Sequence, residues 1–305
     1  MNRSNLLLLT VSLFTCVLGA EFFLRIAKLG YNNAPLNPSN ISHHEHPRNF
    51  SFTAYSPQGE WDGFVINTNK YGDRIVSSCI KPMKSGHTII LGDSFVEGFQ
   101  VQDSDTIAGK LQFLYCDKGI KVSNLGVSSY SPLLSYIQIC HRLNNNDLLL
   151  EKSKVNKIIH ILYDNDISSD SEYSKILSPE VPCPIINARK NLTPLQIISR
   201  NFYIARLFQR FRLTVQMLIK EDRNTGSDIY SEKFTNSDKC LQSNDRLKIT
   251  SKFIKKINEL STSQGIDYYL SAIPSDSRKS KLTNYSCFQQ IAELSGVKFI
   301  PAPDE

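Results

Sequence analysis

The sequence predicts an alternating α/β domain with a parallel sheet, preceded by an apolar helix and an irregular arm. Three observations predict it. A charge-free apolar run, Leu6 to Ala20, opens the chain; from His87 onward short β-branched runs alternate with segments of helical period; and three of those runs end in Gly, Asn or Asp. Strand–helix–strand order of this kind implies a parallel sheet with right-handed crossovers. A length of 305 residues suits one large domain with arms, and 41% apolar with 21% charged residues is ordinary for a globular chain.

The elements follow in order. Residues 1–29 form the apolar N-terminus. Fifteen residues are short for a membrane span and suit a signal-peptide core, but Leu18 spoils a cleavage site after Ala20. Phe22, Phe23, Leu24 and Ile26 extend the apolar character past Glu21. An uncleaved signal anchor is the preferred reading, over a cleaved signal peptide or a buried core helix. Arg3 on one flank and Arg25 and Lys28 on the other do not decide its orientation. Residues 30–84 read as an irregular arm rich in Asn, Pro, Ser and His, with a short strand at Phe64 to Asn67 and a turn at Tyr71-Gly72-Asp73. His43, His44 and His46 within it read as an exposed polar loop rather than a metal site.

The domain proper spans 85–305. Strands are expected at His87 to Leu91, Lys121 to Leu125, Asn156 to Tyr163, Asp267 to Ile273 and Val297 to Ile300. Helices are expected at Asp105 to Tyr115, Pro132 to Leu143, Asp245 to Gln264 and Tyr285 to Ser295. Ser131 followed by Pro132 marks a helix start, and Gly265 and Gly296 mark helix ends. An inserted helical segment, about 189–225, carries one long helix over Leu195 to Ile219.

Charge and cysteines bound the function. The net charge of +6 is mild and does not argue for nucleic acid, and no nucleic-acid motif is present. Basic residues concentrate between Arg189 and Arg223, which reads plainly as a solvated helix face, or functionally as contact with a membrane surface or anionic polymer. None of the seven cysteines forms a CxxC pair, so a zinc site is not expected, and mostly free thiols are the favoured reading.

Ligands of open parallel α/β sheets bind beyond the carboxyl ends of the strands. Three polar segments sit at such ends: Gly92-Asp93-Ser94-Phe95, Asn124-Leu125-Gly126, and Asp164-Asn165-Asp166. A serine presented by a tight turn is a candidate nucleophile once a base activates it. Acyl transfer also needs donors for the tetrahedral oxyanion, and the Ser94 N–H, the Gly126 N–H and the Asn165 carboxamide are three candidates. A dinucleotide fold would need Gly-x-Gly-x-x-Gly here, but the first turn offers only Gly92 and Gly98.

The stretch IILGDSFVEGFQV (Ile89 to Val101) resembles the first block of the SGNH, or GDSL-type, hydrolases. NLGVSSYS (Asn124 to Ser131) is similar to their glycine block and YDND (Tyr163 to Asp166) to their Gly-x-Asn-Asp block. VINTNKYGDR (Val65 to Arg74) resembles a segment that precedes the serine block in membrane-anchored members. The resemblance implies a three-layer, flavodoxin-like fold and no cofactor. It implies Ser94 as nucleophile, Gly126 and Asn165 as oxyanion donors, and Gly92, Asp93 and Asp166 as supporting motif residues, with Asp93 not the triad acid. The implied function is a membrane-anchored serine esterase or O-acyltransferase with a periplasmic or extracellular domain, secreted if the N-terminus is cleaved. Its substrate would be an ester, such as an acylated cell-surface glycan. The family's Asp-x-x-His block, expected after Val297 to Ile300, is missing. His87 begins the first strand, roughly 15–20 Å from Ser94 by strand rise. The alternative expectation is therefore an inactive or truncated binding module at the membrane.

Overall fold

The computed structural model describes residues 2–27, 30–31, 34–55, 62–77, 85–144, 155–163, 165–179, 182–186, 194–221, 245–273 and 283–302. Asp164, Cys79, Cys240, Asp304 and, in the basic stretch, Arg189, Lys190 and Arg223 lie outside them.

The chain opens with α1 (Arg3–Ile26), 24 residues or about 36 Å of helix, long enough to cross a bilayer. Its apolar side chains are exposed and only Glu21 is buried, so the core-helix reading fails. The arm is more ordered than its composition suggests. It contains two small antiparallel pairs, β1 (Asn37–Pro38) with β2 (His44–Glu45) and β3 (Ser51–Tyr55) with β4 (Asp62–Asn67). Alternation on β3 turns Phe52 and Ala54 inward with Ile66 of β4, and together with Ala34 and Phe99 they form a separate small core.

The domain follows as β5 (Gly86–Gly92), α2 (Ser94–Glu97), α3 (Ile107–Tyr115), β6 (Ile120–Asn124), α4 (Pro132–Asn144), β7 (Val155–Leu162) and α5 (Asp166–Ser174). The insertion breaks into α6 (Pro194–Asn201) and α7 (Tyr203–Glu221), two helices where the pattern predicts one. Then come α8 (Asp245–Ser263), β8 (Asp267–Ala272), α9 (Thr283–Leu294) and β9 (Lys298–Ile300).

Five parallel strands run in the order β6-β5-β7-β8-β9. β5 is buried along its whole length, with Ile89, Ile90 and Leu91 in succession as a strand covered on both faces requires. Ile89 and Leu91 face a core shared with α4, α8 and α9; Ile90 faces the opposite layer with Val96, Ala108 of α3 and Val122. This is the three-layer α/β build expected, and every expected strand is present within a few residues.

The cysteines depart from expectation. Cys140 and Cys183 form a disulfide across 43 residues, and Cys116 and Cys287 are disulfide-bonded as well; Cys16 on α1 is free. Disulfides constrain the unfolded chain and persist in oxidising compartments. Spacing alone carried no sign of them, because pairing depends on which helices and loops the fold brings together.

Candidate active site

The sheet order puts the first strand of the domain, β5, between the second and third. The connections that leave β5 and β7 therefore run in opposite directions, to β6 on one side and to β8 on the other, which makes the carboxyl ends of these two strands the place where such sheets bind ligands. Ser94 follows β5 and Asn165 follows β7, so the two flank that point, and both are exposed.

The turn into Ser94 requires glycine. Gly92 has φ +155°, and a Cβ there would come within 2.4 Å of Val96 Cγ2 and 2.7 Å of the Ile161 carbonyl. Asp93 then caps α2, its Oδ1 accepting the Phe95 N–H at 2.9 Å. The second carboxylate oxygen of Asp93, Oδ2, is buried without a hydrogen-bond partner. Burial, with the Glu97 charge adding, holds the Asp93 pKa above the usual carboxylate range despite the Phe95 hydrogen bond. Above the loops the Phe95 and Tyr163 rings pack with centroids 4.4 Å apart. Asp166 closes the β7 turn by accepting the Tyr163 N–H at 2.9 Å.

A helix of four residues has no stability of its own. α2 is held by side chains distant in sequence. The buried Arg74 guanidinium donates to the carbonyls of Glu97, Gly98 and Val101, and Asn124 Nδ2 donates to the Val96 carbonyl at 2.8 Å. These satisfy the carbonyls that a helix end leaves open. Gly126 packs against the same helix: a Cβ on it would stand 2.4 Å from the Glu97 amide nitrogen. Its own N–H donates to Asn124 Oδ1 at 2.9 Å. Of the three expected oxyanion donors, this one is already engaged.

Beneath Ser94 lies a buried polar network. Glu97 accepts from the N–H and the hydroxyl of Ser128, and its carboxylate stands 3.2 Å from His46 Nε2, both side chains 2% exposed. Burial pushes the Glu97 carboxyl up, but the His46 charge and the Ser128 hydrogen bonds outweigh it and its pKa is lowered. Burial pushes His46 down, and Glu97 outweighs that, leaving it raised. His44 Nε2 contacts the Ser128 carbonyl at 2.8 Å, and the Tyr130 hydroxyl donates to the His44 carbonyl. The arm histidines read as an exposed loop are thus the clasp that fastens the arm to the loop carrying Gly126. Among the described residues no cluster of His, Cys, Asp or Glu is arranged to hold a metal ion. The cleft between arm and α4, about 280 Å³, is lined by Glu45, Arg48, Tyr71, Gln138 and Arg142 and does not include Ser94.

Each of the six histidines has a partner other than Ser94. His43 pairs with His44, His46 with Glu97, His87 with the Ser123 hydroxyl, His141 with the Pro184 carbonyl and His160 with the Tyr268 hydroxyl. Burial drives His87 down to about 4 and His160 to about 3, so both are neutral. The anionic-polymer reading of the basic stretch loses Arg200, Arg206 and Arg210. Arg200 donates to Asn37 and to the Leu36 carbonyl, Arg206 lies over the Tyr31 and Tyr203 rings, and Arg210 over Tyr55. The solvated-face reading fails for these three as well.

Sequence reasoning missed Arg74, Glu97 and His46 as parts of the site. The one available signal was a charged residue, Glu97, inside the apolar run that follows Ser94.

No family model and no curated protein matches the sequence. Solved structures do. AlinE4, an SGNH-hydrolase family esterase, is 12% identical over 71% of this chain and 75% of its own, with a TM-score of 0.35. The psychrotrophic esterase EstA from Pseudoalteromonas sp. is 13% identical over 71% and 77%, with a TM-score of 0.32. A GDSL-like lipase from Bacteroides thetaiotaomicron is 11% identical over 72% and 69%, with a TM-score of 0.30. The solved structures to which this chain is similar are described as an SGNH-hydrolase family esterase, an esterase and a GDSL-like lipase.

Proposed function

We propose that this chain is an SGNH-type domain that acts on ester-linked acyl groups through Ser94, held at a membrane by α1 with the domain on an oxidising side. The observation that carries the reading is the placement of Ser94 and Asn165, both exposed, after the carboxyl ends of the neighbouring strands β5 and β7. Ser94 opens a short helix held by Arg74 and Asn124 and by the contacts of Glu97 with Ser128 and His46. In the reaction, Ser94 Oγ attacks the ester carbonyl as its proton passes to a base. The Ser94 N–H and the Asn165 carboxamide stabilise the oxyanion. The ester C–O bond then breaks, the alcohol leaves with a proton, and the acyl group stays on Ser94 until water or a sugar hydroxyl takes it. The acceptor decides between esterase and O-acyltransferase, and an acylated cell-surface glycan is the substrate the motif resemblance implies. The disulfides support a periplasmic or extracellular site for the domain.

A second reading, a binding module at the membrane without turnover, is favoured by one observation: all six histidines are engaged away from Ser94. A fluorophosphonate probe separates the two. The catalytic reading expects the wild-type protein to be labelled at Ser94 and Ser94→Ala to stay unlabelled. Equal labelling of both, or none in a wild type that melts cooperatively, leaves the binding module.

A further inference from the structure

The strongest departure from the ordinary arrangement outside the site lies on α6 and α7. A helix docked on a domain in water turns its apolar stripe to the core and its charges outward. α7 does the reverse. Ile204, Phe208, Phe211 and Val215 fall at i, i+4, i+7 and i+11, one stripe of the helix, with Leu207 at its edge. Leu207, Phe208 and Phe211, with Phe202 at the junction and Ile197 and Ile198 on α6, are each between 43% and 66% exposed. Arg206 and Arg210, on the other side, turn inward onto Tyr31, Tyr203 and Tyr55.

The place of these helices says what covers them. The first turn of α7 is fastened to the last turns of α1: Glu21 accepts the N–H groups of Tyr203 and Ile204 at 3.1 and 3.0 Å. Arg25 donates to Glu21 at 2.9 Å and to the Asn201 carbonyl at 2.8 Å, and it lies over the Tyr203 ring. A carboxylate at a helix N-terminus is favourable, so this joint fixes α7 at the depth of that end of α1. Phe22, Phe23 and Ile26 of the same end of α1 are 64–69% exposed, so the apolar surface of the apolar helix is continued on α6 and α7. Tyrosine and arginine gathered at the joint are the residue types that settle where hydrocarbon meets water.

We propose that α6 and α7 are interfacial helices that lie in the surface of the bilayer beside α1, with Ile197, Ile198, Phe202, Leu207, Phe208 and Phe211 sunk among the upper acyl chains. The occupant of the apolar face is lipid. The inference rests on the reading of α1 as a membrane anchor. It adds that the domain does not swing on a tether. Arg200 and Arg206 join α6 and α7 to the arm, and the arm joins the loops around Ser94 through His44, His46 and Arg74. Ser94 is thereby held at one height above the membrane.

The test uses the full chain in phosphatidylcholine nanodiscs whose acyl chains carry bromine near either the headgroup or the methyl end. The single tryptophan, Trp61, is changed to Phe. One tryptophan is then placed by Leu13→Trp on α1, Phe208→Trp or Phe211→Trp on α7, or Phe113→Trp on α3, a helix away from the joint. Emission from positions 208 and 211 should fall at least about two-fold with the shallow bromines and less with the deep ones. Position 113 should be unaffected, and position 13 should respond to the deep bromines. Quenching at 13 without quenching at 208 and 211 overturns the interfacial helices and leaves the anchor standing. No quenching at 13 removes the anchor. Blue-shifted but unquenched emission at 208 and 211 means that protein covers the face, and also overturns the proposal.

Discussion

The helix that carries Ser94 and the helix pair beside α1 break the same rule in opposite ways. Around α2, charged and polar groups are inside: Arg74, Glu97 and His46 are each nearly inaccessible. On α6 and α7, phenylalanines and isoleucines are outside. Burying polar groups costs free energy unless they are paired, and exposing a contiguous apolar face costs free energy in water. In the first region the cost is offset by hydrogen bonds, donor by donor. In the second no protein group among the described residues offsets it, which points to another solvent. Where in/out patterning fails locally, the difference lies in what satisfies the misplaced groups.

The largest expected effect tests the first half of this contrast. Glu97→Ala leaves His46 buried opposite nothing and removes the acceptor of both Ser128 donors. Breaking a buried pair on one side should lower unfolding stability by about 3–5 kcal/mol, read from urea denaturation midpoints. A loss near that of a surface substitution would show that the network does not hold α2.

A second effect depends on pH. His46 has a raised pKa in the fold, so its stabilisation is complete below the ordinary imidazole value of 6.5 and is lost as pH rises through the raised value. Glu97 is lowered, so its stabilisation is complete above the ordinary carboxyl value of 4.5 and is lost as pH falls through the lowered one. The melting-temperature gap between wild type and His46→Gln should be widest between those two values and narrow on either side. A gap that does not change with pH would mean that the pair is not ionised.

The smallest effect belongs to the second region. Phe208→Ser with Phe211→Ser removes exposed apolar groups that rest on no core. In detergent solution, unfolding stability should change by no more than about 0.5 kcal/mol per site. Loss of a whole unfolding transition would place those rings in a protein core.

Local signals were enough for much of the α/β frame. Runs such as His87 to Leu91 and the period of Asp245 to Gln264 depend on neighbours a few residues apart, and glycines after strands report turns directly. The Gly92-Asp93-Ser94 turn was legible for that reason, since its geometry is made by residues 92–96. The supports of α2 were not. Arg74 reaches residues 97–101 and His46 reaches Glu97, across separations that composition and period do not encode. The disulfides stayed hidden for the same reason, and His44 and His46 read as an exposed loop because the groups that bury them, Ser128 and Glu97, are distant in sequence.

Sequence by itself determined the order of the five parallel strands along the chain and of α3, α4, α8 and α9, the turn that presents Ser94, and the residues that share a stripe on α7, because each is set by chain-local sterics and periodicity. Tertiary structure alone decided which way that stripe faces, which histidines are buried and with what partners, and that the Gly126 amide is already engaged. A period tells which side chains travel together; only the packing of distant segments chooses the medium they meet.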